Sequence, residues 1–174
     1  MARSQNKKPK AEEIYWHKQI QSPLGILELV ANENSLIMLL MENDSRDQFN
    51  DLILKDGGNH KILQATEKQL GEYFLGRRKN FDLPLELKGT EFQKQVWNQL
   101  LKIPYGKHVT YGFQAAQIGR PKAVRAVGTS NGKNPIPIIV PCHRVIGASG
   151  ALIGYAGGLP VKRFLLKLEG VALK

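Results

Sequence analysis

A single cysteine, Cys142, sits in the run Pro141-Cys142-His143-Arg144-Val145. These residue types can make a nucleophile. The thiolate is the reactive form of cysteine and nearby positive charge favours it, while an imidazole is the usual proton acceptor near neutral pH. Pro141 has a fixed φ and so presents the cysteine rigidly. Adjacency restricts the pair, because neighbouring side chains of an extended segment point to opposite faces. His143 therefore reaches Cys142 only around a tight turn or through a bridging water. A Cys-His pair suggests a cysteine hydrolase, but no Gly-rich oxyanion loop of the protease form accompanies it. The plainer alternative is a buried thiol acting as a small apolar side chain, beside a satisfied histidine. One cysteine permits no internal disulfide and no cysteine-based structural zinc site. The four histidines, His17, His60, His108 and His143, show no ligand spacing. Neither a metal nor a cofactor is expected.

The segment carrying Cys142 runs from Asn134 to Ile146. It is apolar, β-branched and interrupted by prolines, and so unsuited to a helix. A Gly/Ser-rich loop, Gly147 to Gly158, follows it. On either side the pattern is helical. Thr90-Glu-Phe-Gln93 fits a capping box, and Phe92, Val96, Trp97, Leu100 and Leu101 then form one apolar face. Thr110 starts a second helix that Gly119 stops. Pro121 suits the first position of a third, continuing from Lys122 to Ser130. Two short helices joined by a tight glycine-containing turn suggest a helix-turn-helix. Leu159 to Leu168 is the last helix, with Val161, Phe164, Leu165 and Leu168 at core spacing.

Charge separates this half from the rest. Residues 1–86 hold 12 Lys+Arg and 13 Asp+Glu, whereas residues 87–174 hold 13 Lys+Arg and two acids, Glu91 and Glu169. The whole excess of the +10 net charge therefore lies in the second half. Such an asymmetry points to a polyanion, of which nucleic acid is the commonest. The first half reads as strands at Ile14–Gln19, Ile26–Val30 and Leu36–Met41, then a helix from His60 to Phe74 closed by Gly76. Phe81 to Leu87, broken by Pro84, reads as an edge strand or linker. No chemistry is visible there, and a scaffold is expected. The fold class is α+β: a disordered basic tail over 1–12, a small α/β domain of antiparallel sheet plus helix over 13–87, and a mostly helical domain over 88–174. No apolar run approaches the ~20 residues that span a bilayer. The basic N-terminal segment lacks the apolar core of a secretory signal. A cytoplasmic monomer that binds nucleic acid and no membrane is expected.

The Pro141–Val145 run resembles the active-site signature of the O6-alkylguanine-DNA alkyltransferases (methylated-DNA–protein-cysteine methyltransferases). Asn134-Pro135, Arg125-Ala-Val-Gly128, Val109-Thr-Tyr111, Gly157-Gly-Leu159 and Glu169-Gly170 are similar to that family in order and spacing. The resemblance covers nearly all of 88–174. In the first half it is weaker, resting on Ser22-Pro-Leu-Gly25 and Tyr73-Phe74.

The resemblance implies a protein that repairs duplex DNA once, moving an alkyl group from O6 of guanine, and from O4 of thymine, onto Cys142. His143 matches the residue that takes the thiol proton through a water, and Glu169 the acid that orients the histidine. Asn134 matches a brace of the active-site turn, and Tyr111 the phenol that hydrogen-bonds the flipped base. Arg125 matches the finger that fills the gap in the stack. Thr110, Lys122, Ala123, Ala126 and Gly128 fall on the matching DNA-binding segment, whose recognition helix enters the minor groove. Tyr155, Ala156, Gly157 and Val145 match the base pocket. Ala156 replaces a hydroxyl residue found in many members, so any contact to the base there comes from backbone. The zinc-binding cysteines of vertebrate members are missing. Two other readings stand beside this one: a DNA-binding module that flags lesions without reacting, and a cysteine hydrolase.

Overall fold

Alternating apolar and polar residues set the first half in strands. The structure, a computed structural model, describes residues 13–42, 44 and 52–173. The tail expected over 1–12 lies outside them. Strands β1 (Ile14–Ser22), β2 (Gly25–Ala31) and β3 (Leu36–Leu40) form an antiparallel meander. The β1–β2 turn depends on Gly25, at φ +92, and on Ser22 Oγ, which donates to Gly25 O at 2.7 Å and accepts from Leu24 N–H at 3.1 Å. A fourth strand, β4 (Ile53–Asp56), lies parallel to β1 at the edge, giving the order β3-β2-β1-β4. This strand was not expected from the sequence, because its residues carry no alternation: none of the four is fully buried.

Helix α1 (Lys61–Phe74) packs Leu63, Thr66, Leu70 and Tyr73 on the sheet and ends before Gly76, at φ +70. The stretch expected as an edge strand or linker makes one isolated bridge, Leu36 to Leu85. It then feeds α2 (Glu91–Leu100). The capping box at its start is present: Gln93 N–H donates to Thr90 Oγ1 at 3.2 Å and Thr90 N–H to Gln93 Oε1 at 2.9 Å.

Helices α3 (Tyr111–Gln117) and α4 (Val124–Gly132) follow, with Thr110 capping α3. α4 starts three residues later than the expected first position, Pro121. The Ala123 N–H bonds Arg120 O, so Pro121 and Lys122 belong to the turn and Ala123 is the N-cap. Buried amides brace the three helices. Asn131 Nδ2 donates to Gln114 Oε1 at 2.8 Å, Gln114 Nε2 to Val96 O at 3.1 Å, and Trp97 Nε1 to Ser130 O at 2.8 Å.

A two-residue parallel ladder joins β5 (Val109–Thr110) to β6 (Val145–Ile146). Helix α5 (Leu159–Leu168) closes the chain, and its buried face differs from expectation. Lys162, Leu165 and Leu166 are buried, while Phe164 is 36 % exposed. One cluster of buried side chains runs from Leu27 and Leu39 through Tyr73 to Trp97, Ile138 and Leu165. The two halves thus share a core.

Candidate active site

Cys142 opens a single turn of 3-10 helix, Cys142–Arg144, rather than continuing an extended segment. Its neighbours prepare that turn. Asn134 bridges the approaching loop, with Oδ1 accepting from Ile136 N–H at 3.0 Å and Nδ2 donating to Val140 O at 2.7 Å. Ile138, wholly buried, takes φ +74, a region costing a β-branched residue on the order of 1–3 kcal/mol. The loop is thus held in a shape it would not adopt alone. The β5–β6 ladder then fixes distance across the site, since Tyr111 follows β5 and the Cys142 turn precedes β6.

Behind the cysteine lies a saturated carboxylate. Glu169 Oε1 accepts from His143 Nε2 at 2.8 Å, Arg144 Nη2 at 2.9 Å and Tyr73 Oη at 2.8 Å. Its Oε2 accepts from Arg144 Nε at 2.9 Å and from Gly106 N–H at 3.2 Å. Burial would raise the Glu169 carboxyl, but hydrogen bonds from His143 and Arg144 hold it down at about 2. An ionised acceptor makes Nε2 the protonated ring nitrogen of His143. That leaves Nδ1 with its lone pair, buried and with no hydrogen bond among the described residues. Burial lowers the pKa of His143, against the pull of Glu169.

The electrostatics of the thiol differ from the sequence expectation. Burial pushes the Cys142 thiol up to about 11, partly offset by Asn134 and by the charge of Lys162. Arg144, expected to favour the thiolate, is committed to Glu169 and to Ile103 O at 2.6 Å. The cation that faces the thiol is Lys162, which is 0 % exposed. Lys162 Nζ donates to Ile153 O at 2.8 Å and Gly154 O at 3.1 Å, and lies 3.5 Å from Tyr111 Oη. Burial lowers its pKa to about 8, opposed by Cys142.

Cys142 lines a cavity of about 280 Å³ together with Tyr111, Gly128, Asn131, Gly132, Gly154, Tyr155 and Ala156. Tyr111 Oη donates to Ile153 O at 2.9 Å, and burial followed by the charge of Cys142 pushes its pKa up to about 12. Gly128 faces the Tyr111 ring, where an added Cβ would sit 3.7 Å from it. Of the expected pocket residues, Tyr155 and Ala156 line the cavity. Val145 does not: it is wholly buried in β6, paired with Val109. Gly157 packs beneath the wall, where a Cβ would run into Met41 Sδ.

The expected DNA-binding residues gather on α3, the turn and α4. Lys122, Arg125 and Ala126 are exposed and Ala123 is half-buried. Thr110 spends its hydroxyl on the Phe113 N–H, at 3.1 Å. Arg120 extends the basic surface, and Phe113 and Val124 are exposed apolar residues beside it. Sequence reasoning missed Asn131 and Gly132, which line the cavity from the end of α4, Gly154, which lines it from the loop before α5, Lys162 on the buried face of α5, and Tyr73 from the other half. Among the described residues no group of three or more His, Cys, Asp or Glu is placed to hold a metal, and no helix is long and apolar enough to cross a membrane.

Residues 91–171 match the DNA-binding domain of 6-O-methylguanine DNA methyltransferase, and residues 14–87 match its ribonuclease-like domain. The methylated-DNA–protein-cysteine methyltransferase of Methanosarcina acetivorans is 50% identical over 151 residues, covering 86% of this chain and 95% of that protein. The chain belongs to the methylated-DNA–protein-cysteine methyltransferase family. The O6-methylguanine methyltransferase of Mycobacterium tuberculosis is similar in structure, with a TM-score of 0.81 and 46% identity over 90% of this chain and 93% of that one. The M. tuberculosis OGT in complex with DNA gives 0.79 and 48%, over 89% and 91%. The α+β architecture, a sheet domain followed by a helical one, is that of these methyltransferases. The enzyme class is methylated-DNA–protein-cysteine S-methyltransferase.

Proposed function

We propose that the chain repairs duplex DNA by flipping an alkylated guanine into the cavity beside Cys142 and taking the alkyl group onto that residue once. The observation that carries this reading is Cys142 in a cavity wall, one residue from the buried His143–Glu169 pair. The thiol proton passes through a water to His143 Nδ1 and on to solvent. A bond forms between Sγ and the alkyl carbon as the bond from that carbon to guanine O6 breaks. The electron pair leaves with the guanine, which is stabilised by Tyr111 and protonated on release. The product is a thioether, which is no leaving group at neutral pH, and no second cysteine exists to accept the alkyl group.

Residues 88–174 serve as the DNA-binding and transfer domain, and residues 13–87 support it. An alkyl group on O6 is inaccessible within the duplex, so the base is extruded at a cost of a few kcal/mol. Arg125, exposed on α4 next to Ala126, offsets that cost by entering the stack. O4-alkylthymine is a second substrate of the same pocket, and the protein acts as a monomer. Mass spectrometry after exposure to methylated and benzylated guanine duplexes tests the assignment. Added alkyl mass on the Cys142 peptide supports it. Binding to lesion DNA with no added mass would instead make the chain a non-reacting sensor, and repeated ester or peptide cleavage would make it a hydrolase.

A further inference from the structure

One donor to Glu169 belongs to the half of the chain that looked inert. Tyr73 lies on α1, 96 residues from Glu169 in sequence, and donates its hydroxyl to Glu169 Oε1 at 2.8 Å. That oxygen is the one that accepts from His143 Nε2. Arg144 also grips the carboxylate, but it is adjacent to His143 and shares its turn. Gly106 N–H binds the other oxygen. Of these donors, only Tyr73 precedes residue 88.

The Tyr73 hydroxyl is placed by packing. The residue is 0 % exposed, with its ring 5.3 Å from Phe81 and edge-on to Tyr105 at 6.2 Å. Burial and the neighbouring Glu169 charge raise its pKa well above the ordinary phenol value, so it stays a donor at any working pH.

We infer that Tyr73 is a positioning residue for the transfer reaction: its hydroxyl holds the histidine-facing oxygen of Glu169, so that the N-terminal half completes the proton relay of the C-terminal half. The inference rests on the alkyl-transfer reading above. It has two physical parts. The first is geometric, because the Oε1 position that orients His143 is tied to α1 and the sheet. The second is electrostatic. Each donor to Oε1 draws off negative charge and weakens the hold of Glu169 on an imidazolium proton. His143 must accept a proton and then release it, so too basic an imidazole would be protonated before the reaction begins. The charged groups that face His143 are Glu169, Arg144 and Lys162. Removing the Tyr73 hydroxyl leaves the carboxylate pulling harder on the ring, which raises the pKa of His143.

The test is Tyr73→Phe in the full-length chain, assayed with free O6-benzylguanine across pH, so that DNA binding plays no part. The transfer rate at neutral pH is expected to fall roughly three- to tenfold, a part of the free energy of one hydrogen bond to a charged group. The acid limb of the profile is expected to move up by about half a pH unit or more. A purely structural tyrosine would lower the melting temperature and the reactive fraction but leave the acid limb in place, and that result overturns the inference. The second variant pairs Tyr73→Phe with Glu169→Gln. With the carboxylate charge gone, the added Tyr73→Phe change should alter the Glu169→Gln rate by less than about twofold. A full additional loss overturns the inference even if Tyr73→Phe alone does not fold. A wild-type chain that transfers nothing from benzylguanine or duplex overturns the alkyl-transfer reading itself.

Discussion

In the proposed alkyl transfer, Cys142 has to react from surroundings that oppose its charged form. Burial pushes the thiol up to about 11, so the thiolate is scarce at neutral pH and a base must take the proton as sulfur attacks. His143 fits that task because burial lowers its own pKa, leaving the ring free to accept. The wild-type rate with free benzylguanine is therefore expected to hold through neutral pH and to fall as acid protonates His143, below the ordinary imidazole value of about 6.5. A rate climbing steadily toward the pKa of the thiol would show that hydroxide takes the proton instead. Glu169 makes a prediction of opposite sign. Its carboxyl is held at about 2, below an unfolded value of about 4.3. Its stabilisation is thus complete above the unfolded value and is lost as pH falls through about 2. Glu169→Gln should cost about 2–4 kcal/mol in urea unfolding at neutral pH, and the gap should close toward pH 2. An equal gap at both extremes would mean that the carboxylate charge contributes nothing.

Short elements bring these side chains together, and their local chemistry decided how much of the fold could be read from sequence. The Thr90–Gln93 capping box and the glycine stop at Gly119 (φ +71) involve residues a few positions apart, so both were legible. The start of α4 was not, because a proline suits the first position of a helix and the turn before it equally well; Ala123 bonding to Arg120 O decided it. β4 pairs with distant β1 without an apolar pattern of its own. On α5, spacing pointed to Phe164 as core and left Lys162 out of the apolar face, yet partners from the 153–154 loop bury the lysine. The contact from Tyr73 to Glu169 spans 96 residues and leaves no local trace. Cys142, His143, Asn134 and Glu169 were legible through the separate family-like motifs Asn134-Pro135, Pro141–Val145 and Glu169-Gly170, and the structure brings all four around one turn.

Lys162 and Arg125 carry the predictions at this scale. Burial lowers the Lys162 pKa to about 8, so its charge costs stability below that value, and the cost disappears above the unfolded value of about 10.4. Lys162→Met should therefore stabilise the protein at neutral pH by on the order of 1–2 kcal/mol. It should also slow transfer, because the 153–154 wall loses its clamp and the thiolate its cation. A variant both less stable and fully reactive would contradict this. On α4, Arg125→Ala should slow repair of duplex DNA much more than reaction with free benzylguanine, which needs no flipping. Equal slowing of both would remove the finger role.

The whole molecule divides charge and chemistry unevenly between halves that share one core. The first half is nearly neutral and supplies the sheet, α1 and the Tyr73 contact; the second carries the positive excess and the cavity. Exposed Arg120, Lys122 and Arg125 surround the α3–α4 turn. Through counterion release, three phosphate contacts there would weaken DNA binding roughly tenfold or more between about 50 and 200 mM salt. Flat affinity over that range would place the DNA elsewhere. The central claim is that Cys142 accepts one alkyl group and keeps it. Its most direct test is titration of the full-length protein with excess O6-methylguanine duplex, counting methyl groups gained by intact mass and locating them by peptide mapping. A plateau near one methyl per chain, confined to the Cys142 peptide, is the expected result; steady turnover past several equivalents, or methyl on any other residue, would contradict it.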